Sequence, residues 1–293
     1  MDGVGDRREH SRSRHGEPQD RRHARTPPSA RRAEAGGRVL NRGGAQRIPR
    51  PPQFAPGGPA PWAHLPAHLR RPTMTQIREA MASAAGPRTQ EFEPGSLRSA
   101  VLAGLHAEVV GESVVEDRPH VLLTRRSQEM RSHSGEVSFP GGRQEPGEDL
   151  WVTALREADE EVALRPDSVV RLGELDHLRT VSSRSWIVPY VAEITEPHLV
   201  IPQLRAAPDE VELVLHVALD DLLNDDVFRE ELWTFGEYTR PVYFFEVEGD
   251  TVWGATAAML RNLLAIITGT HDPRVAIDHW DAPEAVLPRG LAE

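Results

Sequence analysis

The sequence predicts an α/β (α+β) domain, and three observations lead there. Short apolar or β-branched runs, separated by Gly, Pro and charged residues, recur between Ser99 and Trp253. Two stretches, about 149–163 and 255–268, instead repeat their apolar residues at helical spacing. Finally, composition changes sharply near residue 73, so the regular pattern occupies only the later part of the chain.

Residues 1–73 hold 15 Arg and 6 acidic residues, with frequent Pro and Gly and hardly any periodic apolar pattern. Such a segment cannot bury enough apolar surface to offset its chain entropy, so 1–73 is expected to be a disordered tail. Its acids and prolines argue against an organelle transit peptide, and Met74 would serve equally well as a start. Residues 74–293 are expected to form one domain, with its core at about 98–268.

Within that domain the segment TQIREAMASAA after Met74 suits a short helix, which Pro87 and Pro94 prevent from continuing. Strands are expected at Ser99 to Val109, His120 to Thr124 and Glu136 to Phe139, the last stopped by Pro140. A helix from about Asp149 to Ala163 places Leu150, Ala154, Leu155, Ala158 and Val162 on one face. Asp149 favours its positive end. Strands follow at Val169 to Leu178, Ser185 to Ile194 and Val211 to Ala218, then a short helix at Leu219 to Leu223. The pair Arg240 to Val247 and Thr251 to Trp253 leads into a last helix at Ala255 to Thr268.

Charge restricts the partners. Of the chain's 34 basic and 45 acidic residues, 19 and 39 lie after residue 73, and a surface that acidic repels nucleic acid. All the basic residues are Arg, a bias that a GC-rich genome would impose. There is no Cys, hence no disulfide framework or thiol chemistry. No apolar run approaches the roughly 18 residues that span a bilayer. The expectation is a cytoplasmic protein with a small-molecule substrate and no membrane partner; a homodimer is left open.

Chemistry concentrates between Leu122 and Leu164. Glu157, Glu160 and Glu161 fall at spacings of three and four, so a helix brings three carboxylates to one side. An acidic run of this kind is most often a solvated face. Here Arg156 is the one neighbouring cation, and a hard divalent ion would balance the rest. Gly142 and Glu148 complete a fixed pattern, G-x5-E-x7-R-E-A-x-E-E-x-A-L.

That pattern resembles the Nudix box, a loop-helix-loop that binds divalent metal and cleaves nucleoside diphosphates linked to another group. Gly142, Glu148, Arg156, Glu157, Glu160 and Glu161 match, while Ala163 stands where the family has Gly. Ala takes positive φ less readily, so a slightly different helix exit is expected. The upstream string LLT-x-R-S-x3-R-x3-G-x3-FPGG, from Leu122 through Arg126, Ser127, Arg131, Gly135 and Phe139 to Gly142, is similar to the signature of the coenzyme A pyrophosphatase branch.

The resemblance implies a mixed β-sheet sandwiched between helices, Mg2+ or Mn2+ as cofactor, and hydrolysis of coenzyme A or a derivative to 3′,5′-ADP and 4′-phosphopantetheine. It implies metal ligation by the carbonyl of Gly141 and by Glu157, Glu160 and Glu161, with Glu148 in the same site. Glu157, Glu160, Glu161 and Arg156 would be catalytic, and either Glu157 or Glu161 could orient or deprotonate the water. Arg156 is readable as touching substrate or as bracing Glu148 and a helix carboxylate. Arg126 and Arg131 would bind substrate phosphate, with Gly141 and Gly142 giving close backbone approach. Glu210 in PDEVE could complete the metal site from a loop, in competition with Asp209 and Glu212. Two alternatives stand beside this reading: a Nudix pyrophosphatase acting on a nucleotide sugar, dinucleoside polyphosphate or oxidised nucleotide, and a non-catalytic ligand-binding domain.

Overall fold

A computed structural model describes residues 43–44, 46–89, 92, 95–130, 133–179 and 185–273. The strands are β1 (Phe54–Pro56), β2 (Arg98–Val110), β3 (Ser113–Arg126), β4 (Val137–Ser138), β5 (Gly141–Arg143), β6 (Val169–Glu174), β7 (Leu178–Arg179), β8 (Trp186–Ile194), β9 (Val211–Ala218), β10 (Phe228–Phe235), β11 (Tyr238–Val247) and β12 (Asp250–Trp253). The α-helices are α1 (Met74–Ser83), α2 (Leu150–Val162), α3 (Pro197–Val200), α4 (Leu219–Leu222) and α5 (Gly254–Ile267).

The larger sheet runs β4-β3-β2-β8-β6, with β5 on β2, β7 on β8 and β9 on β3. Its β2–β8 pair is parallel and its other pairs are antiparallel, so the expected mixed sheet is present. Alternation along β2 and β3 divides the core. Ala100, Leu102 and Leu122 face α2, packing on Ala154, Ala158 and Val162. Val101, Ala103, Leu105, Val121 and Leu123 face the other way, into a larger cluster that includes Ile77 of α1 and Leu260, Leu263 and Leu264 of α5. Helices thus cover both faces, as the family resemblance implies. The small residues Ala154 and Ala158, fully buried, let α2 approach β2 closely enough to aim its side chains at the sheet's edge.

A second sheet, β1-β10-β11-β12, was not foreseen as a unit, and β1 and β10 were not expected at all. β10 carries three charges in FREELWTF, which hides its alternation: Phe228 and Trp233 are buried, and Glu231 is buried with Arg50 Nε at 2.9 Å and Trp233 Nε1 at 2.8 Å. The expected strand Val169 to Leu178 is broken at 175–177 into β6 and β7, where Asp176 turns inward and accepts from Arg88 N–H.

The expected tail boundary at residue 73 needs correction. Residues 1–42 and 45 lie outside the described residues, but 43–73 are part of the fold. β1 pairs antiparallel with β10. Trp62 is fully buried, its ring 5.6 Å from Phe228 and 6.3 Å from Phe245. Thr73 caps α1: its hydroxyl accepts from Gln76 N–H while Gln76 Oε1 accepts from Thr73 N–H. The reason is that one aromatic residue can bury as much area as a periodic stretch, so sparse apolar residues anchored this segment without leaving a pattern.

Three histidines meet on the α2 side of the larger sheet. His106 of β2 and His120 of β3 are register partners with rings 5.4 Å apart, and His106 Nε2 lies 2.9 Å from Nδ1 of His216 on β9. Nδ1 of His106 bonds to Ala107 O and Nδ1 of His120 to Arg118 O. No helix among the described residues is long and apolar enough to cross a membrane.

Candidate active site

The site is built where β5 crosses the N-terminal end of β2 beneath α2. Gly141, Gly142 and Arg143 pair with Val101, Ala100 and Ser99, while Pro140 O accepts from Leu102 N–H at 2.8 Å. A Cβ on Gly141 would stand 2.4 Å from Ala100 O, and one on Gly142 would stand 2.4 Å from the Glu157 carboxylate. Gly141 tolerates no side chain because backbone stands against it, and a side chain at Gly142 would displace the Glu157 carboxylate, so the backbone itself lines that carboxylate. Phe139, buried, fixes the turn from below.

α2 begins at Asp149, whose carboxylate accepts from Trp151 N–H at 2.9 Å. It ends at Ala163, which adopts φ 57 and ψ 32 in spite of its Cβ. The expected altered exit is therefore corrected: Ala takes the left-handed conformation that Gly would favour, held by Ala163 N–H to Asp159 O and by the burial of Leu164.

Between these ends Arg156 acts as a brace. Its Nε and Nη2 donate to Glu148 at 2.9 and 3.2 Å, its Nη1 to Glu157 and Glu160 at 3.0 and 2.9 Å, and its Nη2 also to Arg143 O at 3.1 Å. Glu148 takes further bonds from Thr153 Oγ1 at 2.7 Å and from Glu145 N–H at 3.1 Å. The Arg156 contact, with those bonds, brings its carboxyl down to about 2. With both oxygens engaged, Glu148 anchors Arg156.

The three helix carboxylates have different fates. Glu161 is 3 % exposed, Glu157 is 16 % exposed, and Glu160 is 60 % exposed with Arg156 as its partner. Burial first, then the nearby charges of Glu157 and Glu210, push Glu161 up to about 8, against the opposing pull of Arg126 and Gly141 N–H. Burial likewise raises Glu157, with Glu160 and Glu210 adding to it and Arg156 opposing. The charges of Glu157, Glu161 and Glu210 act on one another, while Glu160, of the three expected helix carboxylates, lies on the exposed rim. Sequence reasoning had named Glu210, though only as one of three competitors; Glu212 instead stands 3.8 Å from Arg125.

The two arginines ending β3 also differ. Arg125 is held by buried Asp250, Nη1 at 3.3 and 3.4 Å from its two oxygens. Arg126 approaches Glu161 only to 3.8 Å, and its Nη2 donates to Met130 Sδ at 2.8 Å; the buried Nε of both arginines has no hydrogen-bond partner among the described residues. Arg131 lies outside the described residues. His133 pairs with Glu136 at 2.9 Å and stands apart from the carboxylates.

As they stand, no three carboxylate or imidazole groups among the described residues are close enough together to hold an ion. The donor set nevertheless fits a hard divalent cation: Glu157, Glu161 and Glu210 offer only oxygen, Glu161 is buried and Glu157 half-buried, both stay raised although Arg126 and Arg156 oppose the shift, and Gly142 places no side chain beside Glu157.

A family description, the NUDIX domain, matches residues 106–235. An uncharacterized Nudix hydrolase NudL of Photorhabdus laumondii is 35% identical over 160 residues, covering 54% of this chain and 82% of that one. Nudix hydrolase 3 of Caenorhabditis elegans is 34% identical over 169 residues, covering 52% and 69%. Among solved structures, a C. elegans Ap4A hydrolase binary complex aligns at 18% identity and a TM-score of 0.34, covering 43% of this chain and 82% of that one.

Proposed function

The chain belongs to the Nudix hydrolases, and from that premise we propose that it cleaves the pyrophosphate of coenzyme A or a derivative to 3′,5′-ADP and 4′-phosphopantetheine. The observation that supports this reading is the place of Arg126: in the signature that precedes the box, its guanidinium stands 3.8 Å from Glu161, with no carboxylate hydrogen-bonded to it, while Arg125 is held by Asp250. A guanidinium with no hydrogen-bonded carboxylate, beside the carboxylates of a pyrophosphate-cleaving family, suits a phosphate.

Glu157, Glu161 and Glu210, with the carbonyl of Gly141, would hold Mg2+ or Mn2+, and Glu160 would join from the rim. The bound ion would supply charge neutralisation of the phosphate oxygens and acidification of a water. The protein's own part is positional. Arg156, locked on Glu148, fixes the Glu157 side chain so that its carboxylate meets the Gly142 backbone. The Gly141 N–H, at 3.4 Å, orients the buried carboxylate of Glu161. One of these two carboxylates orients and deprotonates the attacking water, and Arg126 and Arg131 bind phosphate, including the 3′-phosphate of coenzyme A.

A substrate panel with Mg2+ and Mn2+, read by product mass, tests this. Coenzyme A should exceed 3′-dephospho-coenzyme A in kcat/KM by roughly ten- to a hundredfold, and Arg126→Ala should shrink that ratio. Equal rates on the two compounds would end the 3′-phosphate assignment. Turnover of ADP-ribose with none of coenzyme A would end the coenzyme A reading altogether.

A further inference from the structure

The loop that joins β3 to β4 carries the signature arginines, and its backbone is tied to the site at its base. Arg126 N–H donates to Glu136 O at 2.9 Å, Gly135 N–H to Arg126 O at 3.1 Å, and Ser127 N–H to Glu210 O at 2.8 Å. The last bond joins the loop to the backbone of the residue that carries the Glu210 carboxylate. Displacement of the loop would therefore move both Arg126 and Glu210.

The loop's outer edge is held by a residue far away in sequence. The Gln46 amide donates from Nε2 to Gly135 O at 3.2 Å and to Asp250 Oδ1 at 2.6 Å, while its Oε1 accepts from Thr251 N–H at 2.9 Å. All of its partners are backbone groups or a side chain 1 % exposed, so the amide is oriented on every side. Asp250 in turn grips Arg125, the neighbour of Arg126. Shortly before Gln46 the backbone is itself anchored by Gly43 N–H to Val247 O at 3.0 Å and Gly44 N–H to Thr251 Oγ1 at 3.1 Å. Gln46 and Asp250 both lie outside residues 106–235, the extent of the NUDIX match.

We propose that Gln46 is a positioning residue for the substrate loop: with Asp250 it clamps Gly135 and Arg125, so that the segment preceding α1 sets how well the enzyme holds its substrate. This rests on the reading that the β3–β4 loop contacts substrate. A shared amide is well suited to the task, because one planar group donates to the loop and accepts from β12 at once. Its loss leaves the Gly135 carbonyl and the Asp250 carboxylate short of a donor.

Gln46→Leu and Gln46→Glu test the clamp; the second retains the oxygen that accepts from Thr251 N–H and removes both donated bonds. Ile48→Ala is the control, since Ile48 packs on the Trp233 and Phe244 cluster of the same segment without touching the loop. Both Gln46 variants should raise KM by about fivefold with kcat within about twofold, on the scale of one lost hydrogen bond. Kinetics are read on whichever compound of the panel the wild type turns over best, so failure of the coenzyme A reading does not decide the result. Independently of substrate, hydrogen exchange at the Gly135 and Glu136 amides should quicken in the Gln46 variants and stay unchanged in Ile48→Ala, even where Ile48→Ala lowers the thermal midpoint more. Unchanged KM and exchange in the Gln46 variants would overturn the proposal. Equal changes in Ile48→Ala would also overturn it, by showing that the segment acts only through general stability.

Discussion

The molecule contains two clusters of like ionisable groups on the α2 side of its larger sheet, and they are resolved in opposite ways. His106 bonds to His216 and to Ala107 O, and His120 stacks on His106 and bonds to Arg118 O, so each imidazole has an internal hydrogen-bond partner. Burial, the largest cause, brings His106 down to about 3, and it lowers His120 as well, with Arg118 adding to the effect. The carboxylates of Glu157 and Glu161 are pushed up by burial, Glu157 in spite of its bond from Arg156 and Glu161 with only a long 3.4 Å bond from Gly141 N–H and Arg126 at 3.8 Å. Internal satisfaction marks a cluster that serves the fold; a cluster that stays frustrated is one arranged for something from outside.

The largest effect that could break this contrast is on turnover. Glu157→Gln and Glu161→Gln should each lower kcat by about a hundredfold or more, on the scale of removing a principal charge-stabilising group. The thermal midpoint of the metal-free protein should stay level or rise, since a buried charge is removed. His106→Leu should leave kcat within about twofold. Wild-type turnover in both glutamate variants at saturating Mg2+, or a large loss in His106→Leu, would reverse the assignment of the two clusters.

The same contrast explains what the sequence made legible. The box was readable because its chemistry demands particular residues at helical spacing, and α2 runs where that spacing places it, capped by Asp149. Sequence spacing alone, however, treated Glu157, Glu160 and Glu161 as equivalent, because it records a helical face and not how deeply each position on it is covered. Glu160, one position before Glu161, turns about 100° away, to the exposed rim. Glu210 was visible only as one acid among neighbours, since a loop has no periodicity to rank them. The histidine cluster drew no notice: His106, His120 and His216 are over a dozen residues apart, and strand pairing alone unites them. The segment 43–73 was misjudged for a related reason, because Trp62 and Gln46 are single contacts with no local repeat.

A second experiment, of intermediate size, uses pH. His106 has a folded value below the unfolded 6.5, so its neutral form contributes fully above about 6.5, and stability is lost as pH falls from there toward 3. Glu161 has a folded value above the unfolded 4.5, so its cost in the metal-free protein is absent below about 4.5 and grows as pH rises toward 8. Between pH 7.5 and 5 the His106 contribution should fall by about 2 kcal/mol. Denaturant unfolding of wild type and His106→Leu at both pH values measures it, and the variant should show a smaller loss on acidification. An equal loss in both proteins would show that the histidine cluster does not govern the acid limb.

The smallest effect separates backbone strain from charge on the helix that carries the carboxylates. Ala163 sits at φ 57, a left-handed conformation that costs a residue with a Cβ about 1 kcal/mol relative to Gly. Gly would relieve that strain at the helix exit, and the greater freedom of the unfolded chain would offset part of the gain, so Ala163→Gly should stabilise by roughly 0.5 kcal/mol. Nothing charged is touched, and the gain should therefore be the same at pH 5 and pH 7.5, with kcat unaltered. A gain that varies with pH would mean that the helix exit and the buried carboxylate beside it are coupled. Loss of stability would mean that the methyl group of Ala163 contributes packing that outweighs the strain, and in that event the Ala at this position is a structural choice and not a tolerated departure from Gly.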